Sequence, residues 1–373
     1  MNDSVSTWNE SAVKMSEQER SDLLVRFTIY IFESSLLIFL NFAMFIAIVR
    51  LPALRAQYTI LCGLLFTDGL MGFATISAGI GRNVILLSNT QDNLVSRRTC
   101  MFKPWNLLFI WTDPMTSIML MVISIDRLLA VCLPIQYYKR SAKLGRWQLI
   151  AAHTFMLCSV ITGWSLAYPE NKPLYPSICW SSKGIHSGYF VYHTWLRIIA
   201  ALTSVVLYGI VVALMWMRAR RIAASTRWGV NLSVSRFSKR QVKLNVSMGI
   251  SCLCTCIFYV LPICIELYEV VSGAESEWLG SVMSFSQIIS NLNSICNFIV
   301  LMYRHADIRR AVLSLLTCGK ISAIVPSSTV ANFAHTVRNV KSVCQLQQNN
   351  EAKLVWGQSS LMSGKFVEGI IHQ

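Results

Sequence analysis

The sequence predicts an all-α membrane protein, a seven-transmembrane helix bundle followed by an eighth, interfacial helix. Three observations carry that expectation. The 373-residue chain is 54% hydrophobic and only 14% charged, too apolar for an ordinary soluble domain. Seven mostly apolar stretches, at 26–49, 58–80, 105–132, 149–168, 188–217, 242–270 and 279–302, each reach the length of about 20 residues that a spanning helix requires. The basic residues, finally, gather in alternate connections between these stretches.

An odd number of crossings puts the two ends on opposite sides, and Lys and Arg in the short loops orient the chain. With the N-terminus outside, the inner loops hold Arg50, Arg55, Lys139, Arg140, Lys143, Arg146 and the basic group between Arg218 and Lys243. The longer outer segments hold fewer. The expectation is a multi-pass plasma-membrane protein with an extracellular N-terminus. Much of its formal charge of +15 is then topological, and nucleic acid is excluded as a partner because no separate basic domain forms.

Residues 1–25 form the extracellular N-terminus, with glycosylation acceptors at Asn2 and Asn9 in Asn-X-Ser tripeptides. No cleavable leader pattern precedes the first span, which is expected to act as its own insertion signal. Residues 26–302 form the seven-transmembrane domain. In "YRHADIRRAVLSLLTC", residues 303–318, Ile308, Ala311, Val312 and Leu315 recur at helical spacing while Arg304, Arg309 and Arg310 line the remainder. That pattern suits a helix lying along the inner leaflet, with Cys318 a candidate palmitoylation site. Residues 319–373 lose periodicity and read as a flexible cytoplasmic tail.

A charge at the bilayer centre costs about 2.5–3.5 kcal/mol on insertion scales, so intramembrane ionisable groups tend to face the bundle interior and mark function. Asp68, Asp113, Asp126, Arg127, Arg197 and Glu266 are the set here, with His153 and His193 as weaker members. On the third span Phe109, Asp113, Thr116, Leu120 and Arg127 fall within an arc of roughly 60°. One stripe therefore carries an acid in the outer half and an arginine at the inner end. Ligand-binding candidates in the outer half are Phe109, Asp113, His193, Arg197, Tyr259 and Glu266. Asp113 or Glu266 suits a cationic group and Arg197 a carboxylate; the alternative is a structural Asp113–Arg197 ion pair. Pro114 removes a helical hydrogen bond beside Asp113 and is expected to kink the helix. Most cysteines lie in spans as small apolar packing groups. Cys100 and Cys179 lie on the oxidising side, where a disulfide tying the fourth-to-fifth connection across the third span is chemically permitted.

"DRLLAVCLPIQYY", residues 126–138, resembles the DRYxAVxxPLxY signature of rhodopsin-like G-protein-coupled receptors, with Leu128 in place of tyrosine. Further matches follow in order over about residues 25–316: Asn41, "LLFTD" ending at Asp68, Cys100, Cys179, Tyr208, Pro262, and "NSICNFIVL" from Asn293 where the family carries NSxxNPxxY. Departures are equally specific. Phe298 replaces the helix 7 proline, Leu301 its tyrosine, Val260 the helix 6 tryptophan and Ala200 the helix 5 proline, while His153 stands where helix 4 usually has tryptophan. This mixture resembles the nematode srsx-type serpentine chemoreceptors.

The resemblance implies an activation switch of Asp126, Arg127, Tyr208, Pro262 and Asn297, in which Asp126 neutralises Arg127 at rest and the released arginine turns toward a Gα helix. It implies a sodium pocket at Asp68, Thr116, Asn293 and Asn297; the alternative is a protonated Asp68 bonded to Asn41 and Asn297. Apart from that ion no cofactor is expected, and no enzymatic chemistry. The implied partners are a heterotrimeric G protein, an extracellular small-molecule or peptide ligand, and membrane lipid. The remaining alternatives are a seven-helix transporter or channel and a non-signalling receptor-like protein. A retinal photoreceptor is excluded, since residues 279–302 contain no lysine.

Overall fold

The computed structural model describes residues 15–226, 253–272 and 277–317. The sequence-predicted features at Asn2, Asn9, Cys318 and residues 319–373 lie outside these residues, as do the side chains of Glu266 and Tyr138.

The fold is all-α. Its principal helices are α1 (Glu17–Val49), α2 (Thr59–Leu87), α3 (Pro104–Cys132), α4 (Pro134–Ala167), α5 (Ser187–Thr226), α6 (Leu261–Ser272), α7 (Glu277–Arg304) and α8 (Ala306–Leu316). Among the described residues six helices are long and apolar enough to cross a membrane, and Leu253–Ile265 is a shorter apolar helix. α3 is the hub and packs against α2, α4 and α5; α1 packs against α2, α7 and α8.

Local chemistry sets the boundaries. α1 starts at Glu17, not near residue 26, because Ser16 caps it. The Ser16 hydroxyl accepts from the Glu19 amide at 3.1 Å, and Glu17 and Glu19 place negative charge in the first turn. α4 likewise starts at Pro134, not 149. Leu133 leaves the helical region, at φ −124° and ψ 56°, because a proline follows, which ends α3, and Pro134 then suits the first turn of the next helix. The basic residues expected in a loop there ride on the first turns of α4. In α6 Pro262 has no N–H to give Phe258, and the chain widens into a π turn over Cys256–Val260 just before it. Pro114, by contrast, is accommodated within a continuous α3. α1 and α2 approach closely at Gly79, where a Cβ would stand 2.8 Å from the Phe27 carbonyl oxygen.

The sequence reading missed a two-stranded sheet. β1 (Leu94–Ser96) pairs antiparallel with β2 (Pro173–Pro176), Val95 opposite Tyr175. It joins the α2–α3 connection to the α4–α5 connection. Beside it the Cys100–Cys179 disulfide closes the same two connections, with Cα atoms 5.1 Å apart. This is the cystine end of the bundle; the opposite end carries Asp126.

Candidate functional site

At the cystine end the packing is closed. Cys179 adopts φ 50°, a left-handed conformation that costs a non-glycine residue about 1–2 kcal/mol. The conformation presents its carbonyl to three donors: Asn106 Nδ2 at 3.1 Å, Trp105 Nε1 at 3.3 Å and Arg82 Nη2 at 3.4 Å. Arg82 is only 3% exposed, and its guanidinium lies over the rings of Trp180, Phe27 and Trp105 at 4.7, 5.5 and 5.9 Å. Arg97 adds an ion pair to Glu170 at 2.5 Å and stacks on Tyr175. Phe109, expected in a ligand site, packs directly beneath the cystine with Met71, Ala74, Ala78 and Trp105.

In the middle of the bundle α3, α5 and the π turn before α6 bring Asp113, His193, Arg197 and Tyr259 together, all buried. The Tyr259 hydroxyl donates to the Asp113 main-chain carbonyl at 3.0 Å, shares a 2.6 Å hydrogen bond with Ser117, and lies against the Arg197 guanidinium. His193 faces the Ile110 carbonyl, the acceptor that Pro114 leaves without its helical donor, though its ring nitrogens do not reach hydrogen-bond geometry. Asp113, His193, Arg197 and Tyr259 thus occupy one polar layer. It holds an acid, a base and a phenol, suited to a ligand with more than one polar group.

Around Asp68 the structure redistributes the expected roles. Asp68 makes hydrogen bonds with Thr116 and with Ser294, the residue after Asn293. The Asn293 side-chain oxygen instead accepts from Thr255, just before the π turn, at 3.2 Å. Asp68 Oδ1 is enclosed without a hydrogen-bond partner, and with the two hydroxyls it forms an oxygen set that fits a hard monovalent cation. Asn41 bonds its own helix, Nδ2 to the Leu37 carbonyl at 3.0 Å.

The other end opens into a cavity lined by Asp126, Arg127, Tyr58, Tyr208, Asn297, Arg304 and His305 among others. Here α3 delivers Asp126 and Arg127, and the α7–α8 junction delivers Arg304 and His305. The Asp126–Arg127 contact is long, 3.9 Å. Both Asp126 oxygens accept instead from the Tyr137 hydroxyl, at 2.9 and 3.0 Å. Burial and the Asp126 charge push the Tyr137 phenol up to about 12, so it remains a proton donor at any physiological pH. The Tyr58 hydroxyl bonds His305 Nδ1 at 3.1 Å. Burial, with the Arg304 and Arg127 charges, pushes the His305 imidazole down to about 3 and keeps it neutral.

Three polar residues escaped the sequence reading. Tyr137 sits one helical turn into α4, where the Leu133–Pro134 break aims it back at Asp126. Glu33 on α1 accepts from Asn291 Nδ2 at 3.3 Å, and Asn291 in turn accepts from Gln287 at 3.3 Å. Arg82 falls beyond the expected second span, 58–80, but lies within α2. The signal for Glu33 and Arg82 was present, since each is an ionisable residue flanked by mostly uncharged ones inside a helix long enough to span a membrane. A model of the serpentine type 7TM GPCR chemoreceptor Srsx family matches residues 35–316. No curated protein matches the chain.

Proposed function

Because the chain belongs to the Srsx serpentine seven-transmembrane chemoreceptor family, we propose that it converts binding of an extracellular small molecule or peptide into activation of a heterotrimeric G protein. The observation that carries this reading is the open cavity at the Asp126 end, with Arg127, Tyr208 and Asn297 on its walls. An arginine held only loosely by its neighbouring carboxylate is free to turn toward an entering partner helix. The ligand would meet the Asp113, His193, Arg197 and Tyr259 layer, and a sodium ion would be held by Asp68, Thr116 and Ser294.

Orientation follows from redox chemistry and charge. A cystine persists on the oxidising side, so the cystine end faces outward, and the basic residues on α4 and α8 then meet the cytoplasmic leaflet of the plasma membrane. α8, with Ile308, Ala311 and Val312 buried and Arg309 and Arg310 exposed, would lie along that leaflet.

The test is ligand-independent activation across a panel of Gα sensors, comparing wild type, Asp126→Asn and Arg127→Ala at matched surface expression. Asp126→Asn is expected to raise the basal signal and Arg127→Ala to abolish it. Three equal signals from receptors present at the surface would remove the proposal.

A further inference from the structure

The cavity at the Asp126 end carries more positive charge than its own residues neutralise. Arg304 makes no ion pair among the described residues, and its Nε is buried without a hydrogen-bond partner. Its charge and that of Arg127 act on each other across the cavity. The carboxylate on the wall, Asp126, is already committed: both its oxygens take the Tyr137 proton, and Arg127 reaches it only at 3.9 Å. Asp307 is near Tyr58 but does not line the cavity. Two guanidinium groups facing one partly enclosed space repel each other and lose solvation, a cost that an anion between them removes.

The neutral groups have the matching polarity. Gln57 Nε2 donates to the Tyr58 hydroxyl at 3.4 Å, which leaves the Tyr58 proton available for the 3.1 Å hydrogen bond it shares with His305 Nδ1. With Tyr58 donating to Nδ1, the neutral imidazole carries its hydrogen on Nε2, and in that tautomer His305 is a donor as well. Two guanidinium forks and an imidazole N–H are donors, and a phosphoryl group supplies acceptors and up to two negative charges where a carboxylate supplies one.

We propose that this cavity is a phosphoryl-binding site, held by Arg304 and Arg127 with His305, and that its occupant excludes the G protein. The exclusion rests on the function proposed above, whereas the binding does not. With the cavity facing the cytoplasm, the phosphoryl group comes either from a soluble phosphorylated molecule or from a phosphorylated lipid headgroup.

Full-length receptor without G protein, in nanodiscs, separates these sources by its unfolding midpoint. One arm uses neutral phosphatidylcholine discs with added pyrophosphate; the other uses discs containing phosphatidylinositol bisphosphate and no soluble phosphate. A saturating occupant is expected to raise the midpoint by about 3–5 °C. A rise in the first arm identifies a soluble source, and a rise in the second alone a headgroup. Arg304→Gln should weaken binding at least tenfold and Arg304→Lys less, while Arg309→Gln, on the exposed face of α8, should leave it unchanged. If Arg304→Gln does not fold, Arg127→Gln serves in its place. No rise in either arm, or equal binding by the Arg304 and Arg127 variants, overturns the site. Binding by a receptor that activates no G protein would overturn the proposed function and leave the site standing.

Discussion

At the cystine end Arg82 is enclosed by three aromatic rings and a carbonyl, whereas at the Asp126 end Arg127 and Arg304 stand across an open cavity. The first end is joined by a covalent bond, a strand pair and an ion pair between connections far apart in sequence. At the second, the helix ends meet through hydrogen bonds, Tyr137 to both Asp126 oxygens and Tyr58 to His305. The difference separates persistence from responsiveness. Covalent and multiply bonded contacts hold one geometry, while contacts worth about 1 kcal/mol each exchange when a partner arrives.

The largest expected effect removes the asymmetry at its strong end. The disulfide closes a sequence separation of 79 residues, for which chain entropy predicts about 4.5 kcal/mol of stabilisation. Cys100→Ser and Cys179→Ser should each lower the unfolding midpoint markedly, and the double variant should cost no more than either alone. Additive losses in thermal unfolding would mean that the thiols matter for packing and not through their bond.

The next acts at the open end through pH. Free histidine titrates near 6.5 and His305 near 3, so the unfolded state takes up a proton that the folded state refuses. The stability from a neutral His305 is complete above pH 6.5 and is lost as pH falls toward 3, by about 2 kcal/mol at pH 5. Comparing unfolding midpoints at pH 7.5 and 5 should show a smaller drop in His305→Asn than in wild type. An equal drop would assign the acid sensitivity elsewhere.

The smallest effect sharpens the comparison at Asp126. Tyr137→Phe removes both hydrogen bonds to the carboxylate and should destabilise by about 1–2 kcal/mol. It should also draw Asp126 closer to Arg127 and lower basal G-protein activation. An increase would mean that Tyr137 itself is the resting lock.

The spans were legible because a stretch of about 20 apolar residues has few alternatives in a membrane, and the cystine because compartment and position permitted it. Helix ends were less so: the start of α1 depends on the Ser16 cap and that of α4 on the single Leu133–Pro134 step. The strands β1 and β2 have three and four residues, too short for an alternating pattern, and their pairing is wholly non-local. The candidate site was legible in its residue types and not in its partners.

By itself, then, the sequence determined the all-α membrane bundle and the buried charges, and permitted the disulfide, because hydropathy, cost of burial and redox chemistry act residue by residue. Tertiary structure alone decided that Ser294 and not Asn293 meets Asp68, that Tyr137 and not Arg127 takes most of the Asp126 carboxylate, and that Arg304 joins Arg127 around one cavity. Each depends on the rotation of one helix against another, where a single residue step turns a side chain by about 100°, and helix rotation is set by packing that no local pattern encodes.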